Sequence, residues 1–203
     1  MKLFNALNIN LEKQTLVACS GGVDSMVALH YYNKKIIDFK ALFIYYSKDD
    51  DNAFLKIKEF TSQNNIPLLV HYATNFPKSN KEKVWRDERY KIFHSYSDYQ
   101  VITAHHLDDQ VENYVATCLK PPVKLIPYKN KNVIRPFLFL KKEELIAYAK
   151  KYNINYDTDL TNFDGSNQRS IIRTQILPVA FTINPGLYKT VKKLMLNNSY
   201  LGI

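Results

Sequence analysis

Short apolar runs alternate with amphipathic stretches through the first 120 residues of the chain. Leu16–Ala18 is a brief apolar run, and a periodic apolar stretch (Met26, Val27, Leu29, Tyr31) opens at Ser25 and reaches Tyr32. Phe39–Tyr46, Pro67–Tyr72 and Gln100–Ala104 repeat the first type and predict three further strands. Between them, helical spacing predicts Asp51–Gln63, with Phe54, Leu55, Ile57 and Phe60 inward, and Lys81–Ser97, with Val84, Trp85, Ile92 and Phe93 on its apolar side. A further helix is predicted over Leu107–Leu119. Strands and helices in strict alternation predict an α/β fold, a parallel sheet covered by helices on both faces. In such sheets, ligands sit beyond the carboxyl ends of the strands.

The pattern changes after Lys120. Pro121-Pro122 ends the helix, and Val123–Pro136 reads as a basic, proline-punctuated connection with a short strand at Val133–Ile134. Leu140–Tyr152 is predicted helical and Asn153–Asn167 a polar loop. Ser166 or Asn167 is expected to cap a helix that runs to Leu177 and stops at Pro178, and a last helix is expected over Pro185–Leu196. The chain therefore divides into residues 1–135, the alternating strand-and-helix part, and residues 136–203, a basic and mainly helical part packed on the same domain.

Composition narrows the function classes. The chain has 203 residues, 46% of them hydrophobic, enough to build a core. No apolar stretch has membrane-spanning length, so no membrane partner is predicted, and Met1–Gln14 lacks the apolar core of a secretory leader. The expected compartment is the cytoplasm. Cys19 and Cys118 form no C-x-x-C and are expected to be buried free thiols. The formal net charge is +9, concentrated in Lys120, Lys124, Lys129, Lys131, Arg135, Lys141, Lys142, Lys150 and Lys151, against only Glu143 and Glu144 in that span. Such an excess suits a polyanion, although lysine-rich surfaces often serve solubility alone.

Two segments carry chemistry. The first strand ends at Ser20-Gly21-Gly22-Val23-Asp24-Ser25. Paired glycines allow a sharp turn and close backbone approach. The free amides of the following helix then present the positive end of its dipole, which is a phosphate site. Ser20 and Ser25 add hydroxyls, and Asp24 adds a carboxylate suited to Mg2+. Most bare Gly-Gly turns bind nothing. The full string between strand and helix is far more specific, and no Gly-Lys-Ser/Thr follows to make it a Walker loop. After the fourth strand stands Thr103-Ala104-His105-His106-Leu107-Asp108-Asp109-Gln110-Val111-Glu112-Asn113. Carboxylates at a helix start are favoured by the dipole, a plain structural reason for them. Here Asp108, Asp109 and Glu112 fall at the same sheet edge as the glycine loop.

The Ser20–Ser25 string resembles the PP-loop of the N-type ATP pyrophosphatases, and the 103–113 segment is similar to the A-H-H-L-D-D-Q-x-E-T element of the tRNA(Ile)-lysidine synthetases within that group. Asn80 to Tyr90 looks like that family's N-x-E-x-x-A-R-x-x-R-Y helix, with Trp85 for the usual Ala. Arg135-Pro136-Phe137-Leu138 looks like its R-P-L-L, and Asp159-Leu160-Thr161-Asn162 with Arg169, Arg173 and Leu177-Pro178 like its last element. The resemblance implies a Rossmann-like fold of the PP-loop ATPase type and use of ATP with Mg2+. It implies a ligase that adenylates the wobble cytidine of tRNA(Ile) bearing a CAU anticodon, then joins L-lysine to it, releasing AMP and pyrophosphate. On this reading Ser20, Gly21, Gly22, Val23, Asp24 and Ser25 hold the nucleotide together with His105 and Arg86. Asp24 and Asp108 hold the metal, and Asp24, Asp108, Asp109, Glu112 and Arg173 are catalytic. A protonated lysine amine, with a pKa near ~10.4, is no nucleophile, so a carboxylate must bind it and help remove its proton. Asp109 and Glu112 are the candidates. The family's D-H-G-L-R after the second strand is replaced by Tyr45-Tyr46-Ser47-Lys48-Asp49-Asp50. Many members carry C-terminal tRNA-binding domains. This chain, ending at Ile203, is expected to be close to a minimal catalytic domain with tRNA on its basic half, in one version as a homodimer. The alternatives are a PP-loop tRNA thiolase and a non-catalytic nucleotide- or RNA-binding module.

Overall fold

A computed structural model describes residues 13–35, 38–74, 81–157 and 168–197. The chain runs β1 (Thr15–Cys19), α1 (Val23–Lys35), β2 (Phe39–Tyr45), α2 (Asp51–Gln63), β3 (Leu68–Tyr72), α3 (Lys81–Ser95), β4 (Gln100–Ile102), α4 (Leu107–Cys118), β5 (Lys129–Asn130) and β6 (Val133–Ile134). Then follow α5 (Lys142–Lys151), α6 (Gln168–Ile171), a π-helical stretch (Ile172–Ile176), α7 (Leu177–Ile183) and α8 (Leu187–Asn197). The six-stranded sheet has the order β3-β2-β1-β4-β6-β5, parallel except for β5 against β6. The predicted α/β fold with helices on both faces is what forms.

The apolar runs become strands because both sheet faces are covered. Leu16, Leu42, Val101 and Val133 pack with Phe93 of α3 on one face. Val17, Ala41 and Phe43 join residues of α1, α4, α5 and α8 in the larger core on the other. α5 packs against α1 and α8 against α4, so the C-terminal helices complete the same core as the sheet. Buried Arg135, expected among the surface cations, is instead 1% exposed. Its guanidinium donates to the Pro127 carbonyl at 2.7 Å and the Tyr90 hydroxyl at 2.6 Å, tying the basic connection to α3.

Three expectations are corrected. Leu55, expected on the inward face of α2, is 59% exposed, because the helix buries Ala53, Ile57 and Thr61 instead. Cys118 is exposed, since it closes the last turn of α4 beyond the region covered by neighbouring helices; Cys19 is buried as expected. The helix does not stop at Pro178. The π-helical stretch pairs the Leu177 N–H with the Ile172 carbonyl, and Pro178 falls in the first turn of α7, where its missing N–H costs no bond. The expected cap at Ser166 or Asn167 lies outside the described residues, as do Asn80 and Asp159–Asn162. No helix among the described residues is long and apolar enough to cross a membrane.

Candidate active site

Three helix N-termini meet at the carboxyl edge of the sheet: those of α1 after β1, α4 after β4, and α5. The contacts that join them are explicit. Asp24 on α1 lies 3.5 Å from His106, which caps α4, and 3.5 Å from the Lys142 amine. The Lys142 backbone N–H at the start of α5 donates to Asp108 of α4 at 2.7 Å. Aligned N-terminal dipoles and free amides make this edge attractive to phosphate.

The glycine loop is built as its sequence demands. Gly21 has φ +81°, and a Cβ placed on it would sit 2.5 Å from the Ala53 Cβ at the start of α2. Only glycine fits both the backbone conformation and the close approach. Gly22 is different: a Cβ there would meet only Ser20 Oγ, at 3.9 Å, so its bareness leaves open space over the loop. Ser25 accepts from the Ser20 N–H at 3.1 Å and donates to the Gly22 carbonyl at 3.0 Å, so its hydroxyl shapes the turn. From outside, the Asp157 N–H donates to the Gly21 carbonyl at 2.8 Å, and Lys56 of α2 holds the Asp157 carboxylate at 2.9 Å.

His106 is the hub of the acidic cluster. Its backbone N–H donates to Asp109 at 3.0 Å, and its ring lies 3.5–3.6 Å from Asp24, Asp108 and Asp109. Burial alone would depress the imidazole, but the three carboxylates, Asp109 foremost, override it and push it up to about 10. His105, next in sequence, behaves oppositely. Burial, helped by Arg135 and Arg89, holds it down at about 4 despite Asp109, and its Nδ1 pairs with Thr103 Oγ1 at 3.0 Å.

The carboxylates divide their duties. Burial would raise Asp108, but His106, the Lys142 N–H and the Tyr188 hydroxyl hold it down at about 2. Both its oxygens are engaged, one by Lys142 N and the other by Tyr188 of α8 at 2.7 Å. Asp109 is also held ionised against the effect of burial, chiefly by His106, and lies 3.6 Å from Arg169. Glu112 is 3% exposed and takes both the Nε of Arg173 at 2.5 Å and its Nη2 at 3.1 Å, with Arg169 at 3.8 Å. Burial works against the Arg173 charge, and Glu112 more than offsets it, so the Arg173 pKa is raised. Asp24 stands apart: its Oδ1 is buried and has no hydrogen-bond partner among the described residues. Among the described residues, no group of three or more His, Cys, Asp or Glu is arranged to hold a metal ion by itself.

The Glu112–Arg173 pair fastens the π-helical stretch to α4. Glu112→Gln leaves Arg173 beside a neutral amide and Arg169, and is expected to cost about 3 kcal/mol, toward the low end for a broken buried pair because Arg173 is partly exposed. Urea unfolding measures this, and a change below about 0.5 kcal/mol would mean the pair does not hold the helices together.

The structure thus brings together Ser20, Gly21, Gly22, Val23, Asp24, Ser25, Asp108, Asp109, Glu112 and Arg173, with His105 beside them. Arg86 is not joined to them among the described residues. It is exposed on α3, with its guanidinium 5.9 Å over the Tyr90 ring. Lys142, Tyr188, Lys56 and Asp157 were not anticipated. Lys141-Lys142 at a helix start runs against the dipole, a signal that something else holds them there. Gln110 and Asn113 turn out to staple the 123–127 connection to α4, through Ile126 and the Lys124 carbonyl.

A PP-loop domain profile matches residues 1–180. The chain belongs to the PP-loop family. Within it, the chain is 32% identical to the tRNA(Ile)-lysidine synthase of Nitrosomonas europaea over 86% of its length and 42% of the relative's. It is 28% identical to that of Francisella tularensis over 88% of its length and 48% of the relative's. This PP-loop chain therefore spans about half the length of the curated relatives it matches. Among solved structures, the U34-tRNA thiolase NcsA from Methanococcus maripaludis superposes with TM-score 0.68 at 16% identity, covering 92% of this chain and 72% of that one. The NH3-dependent NAD synthetase from Campylobacter jejuni follows with TM-score 0.54 at 17% identity, covering 95% of this chain and 87% of that one. These likenesses concern the PP-loop fold alone.

Proposed function

We propose that this chain is a tRNA-modifying ligase that forms lysidine at the wobble cytidine of a tRNA(Ile) with a CAU anticodon. The observation that carries the reading is the phosphate-accepting edge just described, with a carboxylate cluster beside it and relatives named as tRNA(Ile)-lysidine synthases. ATP would place its triphosphate over the Ser20–Ser25 loop and the α1 N-terminus. The oxygen on carbon 2 of cytidine attacks the α-phosphate, and pyrophosphate leaves. The ε-amine of L-lysine then attacks carbon 2, its proton passes to a carboxylate, and AMP leaves with the carbon–oxygen bond electrons.

Asp24 fits as the protein ligand of Mg2+, because Oδ1 is buried and unpaired and Mg2+ commonly takes one or two carboxylates with phosphate oxygens and water. Asp108 is less free, since Lys142 N and Tyr188 already occupy its oxygens. Bound Mg2+ would neutralise charge on the reacting phosphates. Lys142, beside Asp24, supplies a further cation there. Asp109 is the better candidate for the lysine amine. Glu112 is paired with Arg173, whereas among the described residues Asp109 Oδ1 has only the 3.6 Å approach of Arg169. The exposed Lys120, Lys124, Lys129, Lys131, Lys150 and Lys151 offer a surface for tRNA phosphates.

A thiolase reading gains little from the cysteines. Cys19 is buried, its Sγ donates to the Leu42 carbonyl at 3.4 Å, and burial pushes its thiol far up, away from the reactive thiolate. The test is incubation with ATP, Mg2+, labelled lysine and an unmodified CAU tRNA(Ile) transcript, with a tRNA(Met) transcript beside it. Lysine is expected to enter only the isoleucine tRNA, and equally well with Cys19→Ala/Cys118→Ala. Pyrophosphate release without lysine incorporation would keep adenylation and overturn lysidine formation; neither signal would favour a binding module. Sizing the same preparation with and without tRNA tests the homodimer.

A further inference from the structure

We propose that the open face of the Tyr72 ring, backed by Tyr45, is a stacking site for a nucleobase of the RNA substrate; this rests on the RNA-modifying reading above. Tyr72 ends β3, the outermost strand, in register with Tyr45 at the end of β2. Their ring centroids are 5.5 Å apart with a tilt of 44°. Tyr45 is in turn held from behind. Its ring meets Phe54 edge-on at 6.2 Å, and its hydroxyl donates to the Asp51 carboxylate. Tyr72 remains 69% exposed.

A cross-strand aromatic pair helps to hold neighbouring strands together, which accounts for Tyr45 but leaves most of Tyr72 in water. What gives the exposed ring a use is its position. Ala53, which lies against Gly21 of the phosphate loop, is the neighbour of Phe54, which backs Tyr45. The aromatic step is therefore one wall with the loop, two strand spacings or about 10 Å from it. An exposed ring backed by a second, held ring, on a protein of net charge +9 whose lysines concentrate elsewhere at 120–151, is an element that can capture unstacked bases in single-stranded RNA.

The exposure also favours a base carried on RNA over the adenine of free ATP. A small ligand needs an enclosing pocket to bury most of its surface. A base on a polymer is already retained by phosphate contacts elsewhere and gains from a single open platform.

The test compares wild type with Tyr72→Ala, Tyr72→Phe and Tyr72→Trp. Affinity for the CAU tRNA(Ile) transcript is measured by fluorescence anisotropy across a salt series, and affinity for ATP by calorimetry. Melting temperatures confirm that the variants fold. Tyr72→Ala is expected to weaken RNA binding about ten-fold with an unchanged salt slope, because stacking releases no counterions. Tyr72→Phe and Tyr72→Trp are expected to bind like wild type, and ATP affinity to stay constant throughout. Wild-type RNA affinity in Tyr72→Ala, failure of Tyr72→Phe to restore binding, absence of RNA binding by wild type, or a loss confined to ATP would each overturn the proposal. Lysine incorporation is scored separately. Tyr72-dependent RNA binding without incorporation would refute lysidine formation and leave the stacking site standing.

Discussion

Asp24→Asn is expected to lower tRNA-dependent pyrophosphate release by about a thousand-fold, roughly 4 kcal/mol of transition-state stabilisation. The substitution preserves shape and removes one negative charge at the atom best placed to meet the metal–triphosphate. It should leave the fold intact. Among the described residues Asp24 Oδ1 makes no hydrogen bond and Oδ2 has only the 3.5 Å approaches of His106 and Lys142, while Asp108 and Asp109 continue to surround His106. The expected signature is therefore a large loss of turnover at nearly constant melting temperature, read by a coupled pyrophosphate assay and calorimetry. Retention of more than a tenth of wild-type turnover would remove Asp24 from the chemistry. A matching fall in melting temperature would make it structural.

Gly21→Ala is expected to do the reverse and act first on the fold. An alanine at φ +81° carries about 1–2 kcal/mol of backbone strain. Its Cβ would also lie 2.5 Å from the Ala53 Cβ and 2.8 Å from the Ala53 Cα, and a helix backbone cannot give way as a side chain tip can. Overpacking of this kind adds about 1–3 kcal/mol. The sum, about 2–5 kcal/mol, corresponds to a fall of roughly 10 °C in a chain of this size. Gly22→Ala is the matched control. Its Cβ meets only Ser20 Oγ at 3.9 Å, so it should fold normally while the added methyl group obstructs ATP. Equal melting temperatures for the two variants would show that the approach of α2 to the loop is soft. That outcome would also weaken the case for a rigid wall running from Gly21 to Tyr45.

The two variants separate what each residue does in one six-residue loop, and the same separation runs through the acidic helix. The segment from Thr103 to Asn113 mixes structural and chemical residues. In the folded protein Gln110 and Asn113 anchor a connection, Asp108 ties α5 and α8, and Glu112 clamps Arg173. Among the described residues, the carboxylate of this segment whose oxygen has no partner nearer than 3.6 Å is Asp109, and it shares the edge with Asp24.

Strand and helix order, the position of the glycine loop, and the edge at which that loop and the carboxylates meet were all legible in the amino-acid pattern. Those features are local. A glycine turn between an apolar run and a helical stretch forms from its own residues, and parallel strand order then puts every β-to-α loop on one edge. Boundaries followed for the same reason, with α2 found at Asp51–Gln63 as its spacing predicted. Only the tertiary structure decided which charges are spent and which remain open. That Lys142 reaches Asp24, that Arg173 neutralises Glu112, and that Arg135 is interior are pairings between residues 45 to 118 positions apart or burials by distant helices. No periodicity encodes them. The same holds for Pro178, tolerated because a π-helical stretch shifts the pairing before it, and for Tyr72, whose exposure depends on β3 being the outermost strand. Local propensity sets elements; the free energy of burying or pairing a charge is settled only when the elements pack.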